Sequence, residues 1–240
     1  LDNEQVANET YQGLRIAANT LLSPFFGEIY ADKSEVPGFT YNPEEAKKIL
    51  ADAGYKDTDG DGYVEDKDGK QLTITLLVPA GSVTDDAVIQ QYIEWWKNVG
   101  LRVELLNGRA LEFNAYAEKL TKYADDFDMW LGGFTIGYNP DPDGLYGPIA
   151  RFNFSHYVSD EHTKLISEIA SEASFDPAKR VELFKEWQKF VFENPFLIPR
   201  FNTYSLQAVN KRVTHVNIAQ GKETGWEQVE LLSETGVVDK

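Results

Sequence analysis

The residues of this chain best placed to do chemistry are acidic. In Asp57-Thr58-Asp59-Gly60-Asp61-Gly62-Tyr63-Val64-Glu65-Asp66-Lys67-Asp68, carboxylates stand at positions 1, 3 and 5 of a twelve-residue loop, with glycine at 6 and an apolar valine at 8. That is the calcium-loop pattern, in which alternate side chains offer oxygens to one hard cation and glycine allows the sharp turn. Tyr63 would add its backbone carbonyl. Asp68 stands where the pattern has a longer Glu, so its reach to the ion, and the affinity, are reduced. A strand is expected to follow rather than a second helix, so any bound Ca2+ is structural rather than part of a paired sensor. The same residues also build a tight turn between a helix and a strand with no ion at all.

Other reactive types are scattered. His156, His162 and His215 have neither metal-ligand nor triad spacing and read as structural or surface residues. No Gly-x-Ser-x-Gly, His-Glu-x-x-His, Gly-x-x-x-x-Gly-Lys or Gly-x-Gly-x-x-Gly sequence occurs. Carboxylate pairs such as Asp85-Asp86, Asp125-Asp126 and Asp141/Asp143 are expected by chance among 39 acidic residues, so they do not by themselves make a glycosidase. Cysteine is absent, which excludes disulfides, thiol catalysis and thiolate zinc sites.

A binding surface is suggested between Trp130 and Tyr146. A strand ending in Gly132-Gly133 runs into Gly137-Tyr138-Asn139-Pro140-Asp141-Pro142-Asp143-Gly144, all turn formers, flanked by Phe134, Tyr138 and Tyr146. Aromatic faces and free backbone N–H and C=O groups would then gather at the carboxyl end of an α/β sheet, where ligands dock. The competing reading makes the aromatics ordinary core and Gly132-Gly133 a close packing contact.

The elements that must position these residues are legible from periodicity and punctuation. Asn42-Pro43-Glu44-Glu45 starts a helix that Gly54 stops. Leu72 to Val78 is a strand. Helical spacing of Val88, Ile89, Tyr92, Ile93, Trp96 and Val99 marks a helix from Asp85 to Val99, and Leu101 to Leu106 is the next strand, completing a βαβ unit. An amphipathic segment from Leu111 to Tyr123 leads to a third strand, Phe127 to Phe134. Helices are expected over Glu161 to Ala173 and Pro177 to Phe192, and strands over Phe196 to Phe201 and Ser205 to Val209. The tail is loose from about Asn210.

Composition limits the partners. Among 240 residues, 39 Asp and Glu outweigh 23 Lys and Arg, giving a net charge of −16, which repels nucleic acid and anionic membranes alike. At 42 % hydrophobic and 13 % aromatic the chain has ample material for a core. The longest uncharged run, Gln71 to Thr84, is too short to span a bilayer, as is the apolar run Met129 to Pro140, since about 20 apolar residues are needed. Leu1-Asp2-Asn3-Glu4 has no signal-peptide character, and the absence of an initial Met leads us to expect that the chain begins inside a longer gene product.

Taken together, Tyr41 to Tyr55, Asp57 to Gly62, the helix Gln90 to Gly100 with Leu101-Arg102-Val103-Glu104, Phe127-Asp128-Met129, Asp141-Pro142-Asp143, Asn194-Pro195 through Pro199, and Asn210-Lys211-Arg212-Val213 resemble the bacterial extracellular solute-binding proteins of family 5, the binding proteins of ABC-type oligopeptide importers. The resemblance covers nearly the whole chain. It implies a periplasmic-binding-protein-like (class II) α/β lobe, a mixed sheet flanked by helices. It further implies that residues 1–209 are the C-terminal ligand-binding lobe and 210–240 a tail returning to a missing N-terminal lobe. Large apolar residues would be exposed where that lobe packs. The implied activity is capture of an oligopeptide between two lobes that close by a hinge, and delivery to a membrane permease, with no chemistry performed and no cofactor required. The implied place is extracellular, either cell-surface anchored as a lipoprotein or periplasmic.

Some members of the family clamp the ligand amino terminus with an Asp just after the aromatic at the strand end. That place falls near Gly137 here, which removes the carboxylate or moves its role to Asp141 or Asp143. The cleft-lining expectation is therefore Phe134, Thr135, Ile136, Gly137, Tyr138 and Asp141. The same resemblance leaves nickel, haem and oligosaccharide open as solutes. A calcium-stabilised extracellular hydrolase is the alternative from another class, and would need two facing carboxylates about 5 to 9 Å apart.

Overall fold

The computed structural model describes residues 1–204 except 82 and 123, together with 206, 208, 210, 212–214, 230 and 231. The chain divides into two units, Leu1–Asn202 and Thr203–Lys240. In the first, α1 (Asn3–Gln5) is capped by the Asp2 carboxylate, which accepts from the Gln5 amide at 2.9 Å, and continues into a wider helical turn at Val6–Thr10. β1 (Arg15–Ala17) and a tight helical turn at Pro24–Ile29 follow. α2 (Pro43–Asp52) begins as its sequence dictates. The Asn42 side chain accepts from the Glu45 amide at 3.0 Å, Pro43 takes the first position, where its missing N–H is not needed, and Gly54, at φ 92°, turns the chain out.

β2 (Thr73–Leu77), α3 (Val83–Lys97) and β3 (Arg102–Leu105) form the expected βαβ unit, β2 and β3 pairing in parallel from Thr73 opposite Arg102 to Leu76 opposite Leu105. α4 (Phe113–Thr121) then leads to β4 (Met129–Trp130), which adds in parallel to the other edge of β2 and gives the order β3-β2-β4. Successive β2 residues face opposite sides. Leu76 and Val78 accordingly bury against Ile89 and Val103 under α3, while Leu77 joins Leu106, Leu111, Tyr116 and Leu120 under α4.

The rest of this unit is helical. α5 (Asp143–Tyr146), α6 (Asp160–Ile169) and α7 (Pro177–Glu193) close around Leu22, Ile166, Leu183, Phe184 and Trp187. Ser159 and Asp176 cap α6 and α7 by accepting from the amides three residues on. β5 (Phe201–Thr203) is hydrogen-bonded to β1. In the second unit β6 (Val213–Thr214) pairs antiparallel with β7 (Glu230–Leu231). Parallel and antiparallel pairings thus both occur, and helices flank the parallel sheet.

Two strands are shorter than the sequence suggests. Of 127–134 only Met129 and Trp130 enter the sheet, for a reason given below. The strand expected at 196–201 starts at Phe201, because Phe196 is drawn into the helical core, where its ring stacks on Tyr157 at 4.6 Å and 6°. The helix expected over 161–173 ends at Ile169, and a separate helical turn occupies Glu172–Phe175. Most of 205–209, and most of the tail from residue 210, lie outside the described residues, as does His215.

The structural reading of His162 has a measurable consequence. Its ring is 1 % exposed, lies against Phe190 and Phe196, and accepts at Nε2 from Trp187 Nε1–H at 3.1 Å. Desolvation lowers its pKa below the ordinary histidine value. Because the unfolded chain then binds the proton more readily, this contribution to stability is complete above the unfolded pKa of about 6.5 and falls with decreasing pH, by at most about 1.4 kcal/mol per unit, down to the folded value. Denaturant unfolding between about pH 7 and 5.5 should show that slope, and His162→Phe should flatten it. A wild-type profile that is level over this window would refute the assignment.

Candidate ligand-binding cleft

β4 is fastened to β2 at both ends: Asp128 N–H donates to Thr75 C=O at 2.9 Å, the Asp128 carboxylate accepts from the Thr75 amide, and Leu131 N–H donates to Leu77 C=O at 3.0 Å. There the ladder stops. The Tyr116 hydroxyl donates to Leu131 C=O at 2.8 Å, and the next residue is crowded: a Cβ on Gly132 would lie 2.5 Å from that hydroxyl and 2.7 Å from the Trp130 ring. Gly132 is therefore a close packing contact, whereas Gly133 has open space around it. Both readings of the paired glycines apply, one to each residue.

Beyond this point the chain keeps the habit of a strand without a partner. Among the described residues, no backbone hydrogen bond is made from Gly132 through Pro140. Phe134 and Ile136 are half-buried while Gly133, Thr135 and Gly137 are exposed, which is the alternation of a sheet edge. The inward face is anchored by Phe134, whose ring stacks on Phe154 at 6.0 Å and meets Trp130 and Tyr146 edge-on. At the far end Pro140 and Pro142 are buried, and Asp141 Oδ1 accepts from Asp143 N–H at 3.0 Å, turning the chain into α5.

Beside this segment lies a cavity of about 130 Å³, lined by Thr135, Ile136, Gly137 and Asp141 together with Leu21, Leu22, Tyr146 and Trp187. Binding sites for whole small molecules run from about 300 Å³ upward. This cavity has room for one side chain of a larger ligand. Asp141 alone among the described lining residues is charged. Burial raises the pKa of the Tyr146 hydroxyl well above the ordinary tyrosine value, so it stays protonated at neutral pH.

Four of the six residues expected in the cleft therefore share its wall. Phe134 sits behind it in the ring cluster, and Tyr138 is outside the cavity, 75 % exposed. Leu21, Leu22 and Trp187 carried no sequence signal for the site, being apolar residues more than 40 positions from it. Among the described residues lining the cavity, Asp141 has no second carboxylate beside it of the kind a hydrolase would pair with it.

The acidic loop lies elsewhere. Asp57, Asp59 and Asp61 each bring an oxygen within 4.8 Å of the others. Asp68 is not one of the group; its amide donates to Asp66 Oδ1 in the following turn. The loop is closed instead by Glu65, which pairs antiparallel with Lys56 and, on its other side, with Gln71. Sequence reasoning passed over Glu65, since it falls between the side-chain positions of greatest weight in the pattern.

Comparison with known proteins bears on the whole chain. The family described as "Bacterial extracellular solute-binding proteins, family 5 Middle" matches residues 1–154. The oligopeptide-binding protein OppA of Lactococcus lactis subsp. cremoris (strain SK11) is 31 % identical over 232 residues, which are 95 % of this chain and 38 % of the relative. Among solved structures, lactococcal OppA complexed with an endogenous peptide in the closed conformation superimposes with a TM-score of 0.87 at 28 % identity, over 96 % of this chain and 43 % of that one. A periplasmic oligopeptide-binding protein of an ABC transporter from Thermotoga maritima, with mannohexaose bound, gives 0.74 at 29 % identity over 90 % and 42 %. The chain thus spans well under half the length of these relatives.

Proposed function

Because this chain belongs to the family 5 bacterial extracellular solute-binding proteins, we propose that it is the ligand-binding part of the substrate-binding component of an ABC importer for oligopeptides. The unpartnered segment from Gly132 to Pro140 carries this reading. An exposed row of backbone donors and acceptors receives an extended peptide by strand addition, main-chain bonds supplying affinity whatever the side chains. The cavity beside it takes one side chain of the ligand. The loaded protein hands its peptide to a membrane permease and performs no chemistry, in an extracellular, cell-surface anchored or periplasmic setting. Among the described residues no helix is long and apolar enough to cross a membrane.

The other wall of the cleft belongs to an N-terminal lobe of the same protein. Large apolar side chains such as Ile149 (97 % exposed) and Ile198 (57 %) are of the kind a second lobe would cover.

Asp141 is a turn former in this reading rather than a clamp for the ligand amine, since its carboxylate already accepts from the Asp143 amide. Asp141→Ala in the whole protein is accordingly expected to weaken peptide binding, measured by calorimetry, by less than about 2 kcal/mol, the scale of a lost buried charge-assisted bond. A larger loss would overturn this reading of Asp141. The reading as a whole is tested by native and denaturing mass spectrometry of the protein isolated from its own cells, which should release a mixture of peptides. The mannohexaose held by the Thermotoga relative favours oligosaccharide as the second reading; release of oligosaccharide alone would replace the first.

A further inference from the structure

We infer that the loop from Asp57 to Glu65 is a structural calcium site that ties the end of α2 to the edge of the parallel sheet. The first observation is the meeting of three carboxylates: Asp57, Asp59 and Asp61 hold oxygens within 4.8 Å of one another on an exposed loop, where they accept from loop amides and Gln71, neutral donors that leave three negative charges together for a cation to offset. The second is independent of it. Glu65 is 4 % exposed, and its carboxylate is turned onto the loop: Oε2 accepts from both the amide and the hydroxyl of Thr58, each at 2.8 Å, and Thr58 stands between Asp57 and Asp59. The other oxygen, Oε1, is buried with no hydrogen-bond partner. An unsatisfied buried carboxylate oxygen is costly, and a hydrated cation in the loop satisfies it.

The position of Glu65 fits that role. Counting from Asp57 it is the ninth residue, the place from which such loops reach the ion through a water. Asp57, Asp59 and Asp61 supply direct ligands, and Tyr63 stands where the pattern uses the backbone carbonyl. The positive charge nearby is otherwise engaged: Arg102 bonds Glu104 and Gln71, while Gln71 donates to Asp61 Oδ2. A flexible shell of carboxylate, carbonyl and water oxygens suits Ca2+ better than the smaller, strictly octahedral Mg2+.

The consequence is mechanical. Val64 N–H donates to Gly100 C=O at 2.9 Å and Val64 C=O accepts from Leu72 N–H at 2.9 Å, so the residue beside Glu65 links the end of α3 to the entry of β2. Gly100, at φ 88°, has no room for a Cβ, which would lie 2.8 Å from the Val64 side chain. Ordering the loop therefore orders the junction from which β2 and β3 start.

The test is calorimetric titration of the EDTA-treated protein with CaCl2, together with thermal melting at constant ionic strength. One Ca2+ should bind with a Kd of about 10⁻⁴ M or tighter and raise Tm, with MgCl2 giving a smaller rise. Glu65→Gln and Asp59→Asn should each weaken binding by about tenfold or more, Asp59→Asn without lowering the metal-free Tm. Absence of binding at millimolar calcium, unchanged affinity in Asp59→Asn, or an equal rise with magnesium would overturn the inference. None of these outcomes depends on which solute the cleft takes.

Discussion

Trp187→Ala should lower the unfolding free energy by about 3–5 kcal/mol, the range for deleting a large aromatic from a core that cannot collapse around the gap. The indole is 1 % exposed, stacks on Tyr146 at 5.8 Å, and donates its N–H to buried His162. Its removal costs apolar contact, one hydrogen bond and part of the cavity lining together, because the vacated volume adjoins the cavity that Trp187 lines. Urea unfolding measures the loss as a lower midpoint with unchanged slope. Trp187→Phe, which keeps the ring against Tyr146 but not the N–H, should recover more than half of it. A cost for the alanine variant below about 1.5 kcal/mol would mean that this region is packed differently.

Gln188→Leu should cost about 3 kcal/mol or more for the opposite reason, since side-chain volume is nearly kept and only polar partners are lost. Gln188 is 1 % exposed. Its amide nitrogen donates to Ile29 C=O at 2.7 Å and Phe184 C=O at 2.9 Å, and its oxygen accepts from Thr20 Oγ1–H at 2.9 Å and Ala31 N–H at 3.1 Å. Leucine leaves the Ile29 carbonyl and the Ala31 amide buried without these partners, at about 1–3 kcal/mol for each group that cannot find another. The effect reaches the cleft, because these bonds pin the segment that presents Leu21 and Leu22 to its wall. Hydrogen exchange at the Ala31 amide should speed up in the variant, and retention of both stability and protection would show that Gln188 is not the fastening.

The contrast between these two sites explains what could be read in advance. The helical face of Trp187 is visible in the spacing of Val181, Phe184, Trp187 and Val191, so its burial follows from periodicity alone. Gln188 stands next to it with nothing to separate it from the exposed polar residues of the same helix. Three of its partners, Thr20, Ile29 and Ala31, come from a segment more than 150 residues earlier, and only docking reveals them.

The same division runs through the chain. Local physics determined the capped starts of α2 and α7, the βαβ unit and the clustered carboxylates of 57–61, since caps, turns and amphipathic periods are set within a few residues. Tertiary structure alone decided that hydrogen bonding to β2 stops at Leu131, where the Tyr116 hydroxyl takes the last carbonyl and Gly132 is crowded. It also decided that Glu65 rather than Asp68 closes the acidic loop, and that Leu22 and Trp187 meet Thr135 across the cavity. In each case the deciding contact joins residues whose spacing follows no helical or strand period, so it was fixed by how the elements pack and not by the order of their residues.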